Sequence, residues 1–273
     1  GMPDLPNPDH LDFVPSFDMH MNQEGIHEFL KELKEETFDK YDIMTVGEAN
    51  GVKIHQADEW VGEQNGKFDM VFQFEHLGLW GKGANDSVDV IGLKQTLSKW
   101  QTELHRNGWN ALFFENHDQP RSVSTWGNDE EYWMESAKML GACYFLMQGT
   151  PFIYQGQEIG MTNVQFDSID DYDDVGMKNY YRIETAKGRP HQEMMEIIWK
   201  SGRDNSRTPM QWNHQQNAGF TEGNPWMKVN ANHLNINVET QKNDPHSIYS
   251  FYKDMISLRK HHEVFVYGEY SLL

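Results

Sequence analysis

The chain has 273 residues, of which 38% are hydrophobic and 13% aromatic, enough for a sizeable core and too much for a disordered polypeptide. Its formal net charge of −19 disfavours nucleic acid, whose phosphates need a basic partner, and also anionic membrane surfaces. One cysteine, Cys143, excludes an intrachain disulfide framework and favours a reducing compartment. No run of about 18 apolar residues is present, and the first residues lack the pattern of a signal peptide, so we expect a cytoplasmic protein that does not contact membranes.

Short apolar runs alternate with amphipathic stretches through the first 160 residues. Strands are predicted at 42–46, 68–74, 110–114 and 151–154. Helices are predicted around them, at 25–40, 53–62, 91–106 and 130–147. This alternation of strand and helix with short connections indicates an α/β fold with parallel pairing and right-handed crossovers.

The pattern becomes irregular after residue 158. One helix is predicted at 190–201, in a stretch that otherwise resembles loop to about 243, and a final helix is predicted at 246–260. An irregular segment of roughly 80 residues is uncommon in a compact domain unless it is functional. We therefore expect this segment to form one side of a binding site. Residues 264–273 resemble the first strand of a further domain.

Acidic residues follow two of the predicted strands. Glu48 follows the run 42–46, and Asp118 follows 110–114 in a polar stretch where Pro120 prevents the strand from continuing. Burial of charged groups at the end of a strand costs free energy unless the groups are paired or take part in catalysis. We expect Asp118 to be ionised beside His117 and Arg121. Parallel α/β barrels place catalytic residues at these strand ends. A pair of solvated loop acids is the simpler alternative; we favour an active site.

Four motifs in this order resemble the α-amylase superfamily, glycoside hydrolase family thirteen. Residues 45–50 (Thr-Val-Gly-Glu-Ala-Asn) and 115–121 (Glu-Asn-His-Asp-Gln-Pro-Arg) are similar to its third and fourth conserved segments. Residues 151–163 and 202–212 are similar to the branch that contains oligo-1,6-glucosidases, dextran glucosidases and α-glucosidases. The resemblance runs from about residue 22 to the C-terminus.

The resemblance implies a fold and a set of residue roles. Residues 1–263 would be the C-terminal half of a (β/α)8 catalytic barrel. This half would contain strands five to eight with their helices and a long loop after the last strand. Residues 264–273 would be the beginning of a truncated C-terminal β-domain. Glu48 would be the general acid/base, and Asp118 the carboxylate that holds sugar hydroxyls and stabilises the oxocarbenium-like transition state. The implied substrate-binding residues are His117, Arg203, Phe74 and Asn50. We expect no metal ion and no cofactor, since the histidines form no metal-spaced set.

The nucleophile of the family has no matching segment here. It is an aspartate in a Gly-Phe-Arg-Met-Asp-like sequence, and the nearest imitation, Pro15 to Asp18, lacks the arginine. The parent protein is therefore expected to be a retaining, exo-acting α-glucosidase of short α-1,6- or α-1,4-linked gluco-oligosaccharides, whereas this chain alone is expected to be nearly inactive. A non-catalytic sugar-binding or interaction module and a transglycosylating sucrose or trehalulose-type isomerase are the alternatives. The open edges of a half-barrel predict self-association or pairing with the missing half.

Overall fold

A computed structural model describes residues 5–7, 14, 16–81 and 87–273. Within these ranges the strands are β1 (Val46–Glu48), β2 (Met70–Phe72), β3 (Ala111–Leu112) and β4 (Thr150–Pro151). β1 pairs with β2, and β3 pairs with β4, both in parallel. A parallel bridge between Val71 and Asn110 places β2 beside β3. The described strands therefore lie side by side in chain order, with their carboxyl ends at the same edge.

Helices cover these strands and form most of the remaining structure. In the described ranges the α-helices are α1 (Ile26–Glu36), α2 (Ala57–Val61), α3 (Val90–Leu104), α4 (Ser122–Trp126), α5 (Trp133–Phe145), α6 (Val175–Ala186), α7 (His191–Ser201), α8 (Val238–Gln241), α9 (Ile248–His261) and α10 (Val264–Tyr267). None of these helices has both the length and the apolar composition needed to cross a bilayer. The predicted α/β class and parallel pairing are confirmed.

The strands occur where the sequence predicts them but are shorter. The predicted strand 42–46 is the least accurate, because pairing begins only at Val46 and continues to Glu48. Just before it, the backbone N–H of Thr45 donates to the carboxylate of Asp69 at 2.6 Å, and Tyr41 to Met44 are exposed. The β-branched and apolar residues that suggest a strand here therefore lie at an open edge with no described partner strand on that side.

The helix α6 is missed by the sequence analysis, which predicts loop there. The acidic run that ends at Asp174 resembles a solvated loop, yet the Asp174 carboxylate accepts hydrogen bonds from Gly176 N and Met177 N and caps the helix. Met177 and Tyr181, four residues apart, then pack against a buried cluster that includes Met195 and Ile198 of α7. A helix start and an apolar stripe were both present in the sequence.

The prediction of a strand at 264–273 is wrong. Val264–Tyr267 is a helical turn, with Val266 N and Tyr267 N donating to the carbonyl of Glu263. Local hydrogen bonds satisfy the backbone here, because the described residues offer no partner strand. The start of a further domain at this point stays a prediction.

Two apolar clusters support the strands. One lies under β1 and β2 and includes Trp60 and Trp100, and the other lies beneath β3 and includes Phe114, Tyr144 and Tyr252. α5 and α9 pack against each other over the second cluster. Because both clusters are formed by strands and the helices behind them, the loops at the carboxyl ends of the strands extend from a rigid base.

Candidate active site

A cavity of about 230 Å³ opens at the carboxyl ends of the strands. Every described strand contributes to it at or just beyond its last residue: Glu48 from β1, Phe72 and Phe74 from β2, Phe113 from β3, and Phe152 to Tyr154 from β4. The loop after β3 supplies the rest of the lining, with Glu115, Asn116 and His117. The sides are largely aromatic, which suits the apolar faces of a sugar ring, and Glu48 is exposed to the opening.

His117 and Asp118 are held by the loop after β3. The backbone N–H of Asp118 donates to Oδ1 of Asn116 at 2.8 Å, which forms a tight local turn. Pro120 is buried and lacks a donor, so the strand cannot continue, and α4 begins two residues later. As a result the His117 ring is mostly exposed, with its Nε2 atom 3.6 Å from Asp118 Oδ2.

Two arginines from one segment approach the Asp118 carboxylate. Arg207 Nη2 lies 2.6 Å from Asp118 Oδ1, and Arg203 Nη1 lies 3.3 Å from the same oxygen. Arg207 also donates from Nε to the backbone carbonyl of His117 at 2.8 Å. These contacts place positive charge on one side of Asp118. The resemblance indicated Arg203 but not Arg207, which stands four residues later in the same motif.

Arg121, which is close to Asp118 in the sequence, pairs with a different carboxylate. Arg121 is fully buried and donates from Nη1 to Glu115 Oε1 at 2.9 Å. Glu115 in turn accepts from the backbone and the hydroxyl of Ser122 at 3.1 and 2.6 Å. A buried guanidinium needs a buried counter-charge, which Glu115 supplies. Asp118 is closer to Arg121 in the sequence, but its carboxylate is partly exposed to solvent.

Arg121 also links three segments that form the base of the site. Its guanidinium donates to the carbonyl of Gln155 at 2.7 Å and to that of Asn205 at 3.2 Å. The loops after β3 and β4 and the segment that carries Arg203 are thus joined through one side chain.

A second cavity, of about 330 Å³, adjoins the first where His117 meets Asp118. Asp118 and Arg203 line it together with Asp174, and Trp80, Met177 and Tyr180 supply apolar and aromatic surface. The sequence-predicted residues are thus divided between two neighbouring cavities: Glu48, Phe74 and His117 line the first, and Asp118 and Arg203 the second.

Arg203 is fixed by a carboxylate that the sequence analysis did not select. Its Nε and Nη2 donate to Oδ2 and Oδ1 of Asp174, each at 2.9 Å. Asp174 is buried, and the hydrogen bonds from Arg203 lower the pKa of its carboxyl group. The same pair raises the pKa of Arg203. An N-cap aspartate before an amphipathic stretch was the available sequence signal.

For two residues named from the sequence, the structure gives no contact with these cavities. Asn50 is exposed and is absent from the described lining of both, so its role as a substrate-binding residue stays a prediction. The side chain of Asp18 lies outside the described part of the chain. Among the described residues, no group of three or more His, Cys, Asp or Glu side chains is arranged to hold a metal ion.

Comparison with known proteins defines the family. The catalytic domain of α-amylase matches residues 1–268, and the chain belongs to this family. The chain is 60% identical over 273 residues to the probable oligo-1,6-glucosidase 3 of Bacillus subtilis (strain 168), a match that covers 100% of the chain and 49% of that protein. The resemblance inferred from the four motifs is therefore confirmed.

Solved structures agree with this assignment. Trehalose-6-phosphate hydrolase from Bacillus licheniformis superposes with a TM-score of 0.88 at 45% identity, over 96% of this chain and 48% of that one. An isomaltulose synthase variant from Erwinia rhapontici NX5, in complex with D-glucose, superposes with a TM-score of 0.84 at 35% identity, over 91% of this chain and 45% of that one. The chain spans about half the length of these relatives. These shares give the extent of the match, and the assignment to strands five to eight of a barrel stays a prediction.

Proposed function

We propose that the parent protein is a retaining α-glucosidase that releases terminal α-1,6- or α-1,4-linked glucose from short oligosaccharides. The observation that supports this most strongly is that Glu48 and His117, which follow different strands, line one cavity, while Asp118 beside His117 is held by two arginines. Retaining glycosidases need one carboxyl group as acid/base and a second carboxylate as the nucleophile that forms a covalent glycosyl-enzyme intermediate through an oxocarbenium-like transition state. In this proposal the remainder of the catalytic domain supplies the nucleophile, and the residues of this chain supply the acid/base and the groups that bind the sugar.

Each side chain has a distinct task in this proposal. Glu48, exposed at the mouth of the aromatic cavity, protonates the glycosidic oxygen and then takes a proton from the water that hydrolyses the intermediate. Asp118 is bound by arginines through Oδ1, which leaves Oδ2 to accept hydrogen bonds from sugar hydroxyls. His117 reaches the same hydroxyls from the side of Oδ2.

We further propose that this chain alone is nearly inactive. The nucleophile segment of the family has no match in its sequence, and loss of a nucleophile costs several orders of magnitude in rate. Activity then requires the remainder of the catalytic domain. The proposed location is the cytoplasm.

An exposed apolar surface supports the pairing of this chain with the remainder. Phe29 and Leu33 of α1 are 70% and 41% exposed, and Ile43 and Met44 before β1 are 52% and 61% exposed. We define these four residues as the β1 edge. Edge strands and apolar helix faces of this kind are normally covered. The half of the parent protein that this chain lacks would cover these residues. A second copy of this chain is the alternative.

Sucrose isomerisation is a second candidate, favoured by the structural likeness to an isomaltulose synthase. Product analysis of the complete catalytic domain incubated with sucrose tests this candidate: an isomerase returns an isomeric disaccharide, whereas a hydrolase yields only glucose and fructose.

Ligand binding tests the proposal on the chain itself. Titration with isomaltose and with maltose, followed by amide NMR, should shift signals around the two cavities, and the β-linked disaccharide cellobiose is the control. We expect H117A to weaken binding by about tenfold, the loss of one strong hydrogen bond. Equal shifts with cellobiose, or shifts confined to residues distant from both cavities, would contradict the proposed site.

A further inference from the structure

We propose that Asp174 is a positioning residue, which fixes the guanidinium of Arg203 so that Nη1 faces Asp118. The inference deepens the proposed function and rests on it. Asp174 lies 29 residues before Arg203, in a stretch whose charges resemble a solvated loop, and its carboxylate is 2% exposed.

The geometry assigns each nitrogen of Arg203 a separate task. Nε and Nη2 form the two parallel hydrogen bonds to Asp174, at 2.9 Å each, which is the pairing that a planar guanidinium makes best with a carboxylate. Nη1 remains for Asp118, 3.3 Å away at the junction of the two cavities. Because the two bonds to Asp174 fix the plane of the guanidinium, they also fix the direction of Nη1.

Asp174 is itself held on its other sides. Its backbone N–H donates to Oδ2 of the buried Asp204 at 2.8 Å, and its Oδ1 accepts from Gly176 N at 2.8 Å. These bonds place Asp174 at the N-cap of α6, a helix of 12 residues that packs on α7. The orientation of Arg203 is therefore coupled to the position of α6, which contributes Met177 and Tyr180 to the second cavity.

A simpler account is that Asp174 only caps α6. The substitution D174N separates the two roles, since asparagine caps helices about as well as aspartate. Its Oδ1 can still accept from Gly176, but its amide nitrogen cannot accept the second hydrogen bond from Arg203. D174A removes both roles, and S247A, which removes the N-cap of α9 far along the chain, is the control for a loss of capping.

The first measurement is made on the 273-residue chain. The side-chain ¹⁵Nε–¹H signal of Arg203, assigned with R203K, should be protected from exchange in the wild type and in S247A. It should shift and exchange faster in D174N, while the unfolding midpoint of D174N stays close to that of the wild type. An unchanged Arg203 signal in D174N would overturn the proposal.

The second measurement is made on the complete catalytic domain. We expect D174N to lower kcat about 10²-fold, with a smaller effect on KM, as a displacement of a group that acts on the transition state does. S247A should lower the melting temperature and leave kcat unchanged. A normal kcat in D174N overturns the positioning role even if the Arg203 signal moves. If the wild-type domain hydrolyses no α-glucoside, the proposed function fails separately, and the Arg203 signal alone decides whether Asp174 orients Arg203.

Discussion

Arg207 binds Asp118 through a short hydrogen bond, with 2.6 Å between Nη2 and Oδ1. The same guanidinium reaches the backbone carbonyl of His117 through Nε, so one side chain fixes both residues of the loop after β3. Arg203, four residues earlier, approaches the same carboxylate oxygen. The arrangement presents Asp118 with one oxygen bound to cations and the other directed toward His117.

Replacement of Arg207 by lysine tests this arrangement. Lysine keeps the charge but cannot bond the Asp118 carboxylate and the His117 carbonyl in the same planar geometry. Loss of one hydrogen bond to a charged group corresponds to about a 10- to 100-fold change. We expect R207K to lower kcat/KM of the complete catalytic domain by that factor. R182K, at an exposed arginine of α6, is the matched control and should have no effect.

The buried pair of Glu115 and Arg121 should dominate the stability of the loops around the site. E115Q leaves the guanidinium of Arg121 buried without a counter-charge, and breaking such a pair costs about 3–5 kcal/mol. Urea unfolding measures this loss. E36Q breaks the exposed Glu36–Lys40 pair and should change stability by about 0.5 kcal/mol or less. Equal effects of E115Q and E36Q would contradict a structural role for the buried pair.

His76 should make the protein less stable in acid. It is buried among Phe113, Phe114 and Trp126, and burial lowers the pKa of His76 to about 4 from the ordinary 6.5. Above pH 6.5 the ring is neutral in both states. Between pH 6.5 and about 4 the unfolded chain binds a proton that the folded chain does not, so stability falls as the pH falls.

The size of this effect follows from the two pKa values. Their separation corresponds to roughly 3 kcal/mol, at 1.36 kcal/mol per pH unit. H76F removes the titrating group and keeps an aromatic ring, so its free energy of unfolding should vary less steeply with pH over this range. Parallel pH profiles for H76F and the wild type would show that His76 does not carry the effect.

The β1 edge should govern pairing with the remainder of the catalytic domain. F29E and I43E place charges on exposed positions, so each should leave the stability of the isolated chain within about 0.5 kcal/mol. In the presence of the remainder, each should weaken association. Tyr267 is comparably exposed in α10, and Y267E is the control. Light scattering of the wild type alone tests self-association: a monomer at all concentrations excludes pairing between copies.

The sequence predicts the approximate positions of the strands and their parallel pairing, for a definite physical reason. Apolar runs such as 110–114 end abruptly at polar groups, and parallel strands bring those groups to one edge. The sequence does not predict the ion-pair partner of a charged residue that has two candidate partners nearby. Arg121 is three residues from Asp118 but pairs with Glu115, because the loop buries its guanidinium.

Ion pairs between residues far apart in the chain are also not predicted by the sequence. Asp174 lies in an acidic run and Arg203 in a recognised motif, and only folding of α6 and α7 brings them together. The helix α6 was missed because its acidic N-terminal neighbours dominated the pattern, although Met177 and Tyr181 have helical spacing. Local composition outweighed periodicity in that prediction.

Reassembly of the catalytic domain tests the central claim most directly. The chain is mixed with a separately produced remainder of the domain, and release of glucose from isomaltose and maltose is measured. We predict negligible release by either part, release by the mixture, and loss of that release in mixtures made with E48Q or D118N. Hydrolysis by the 273-residue chain alone, or an E48Q mixture as active as the wild type, would contradict the account.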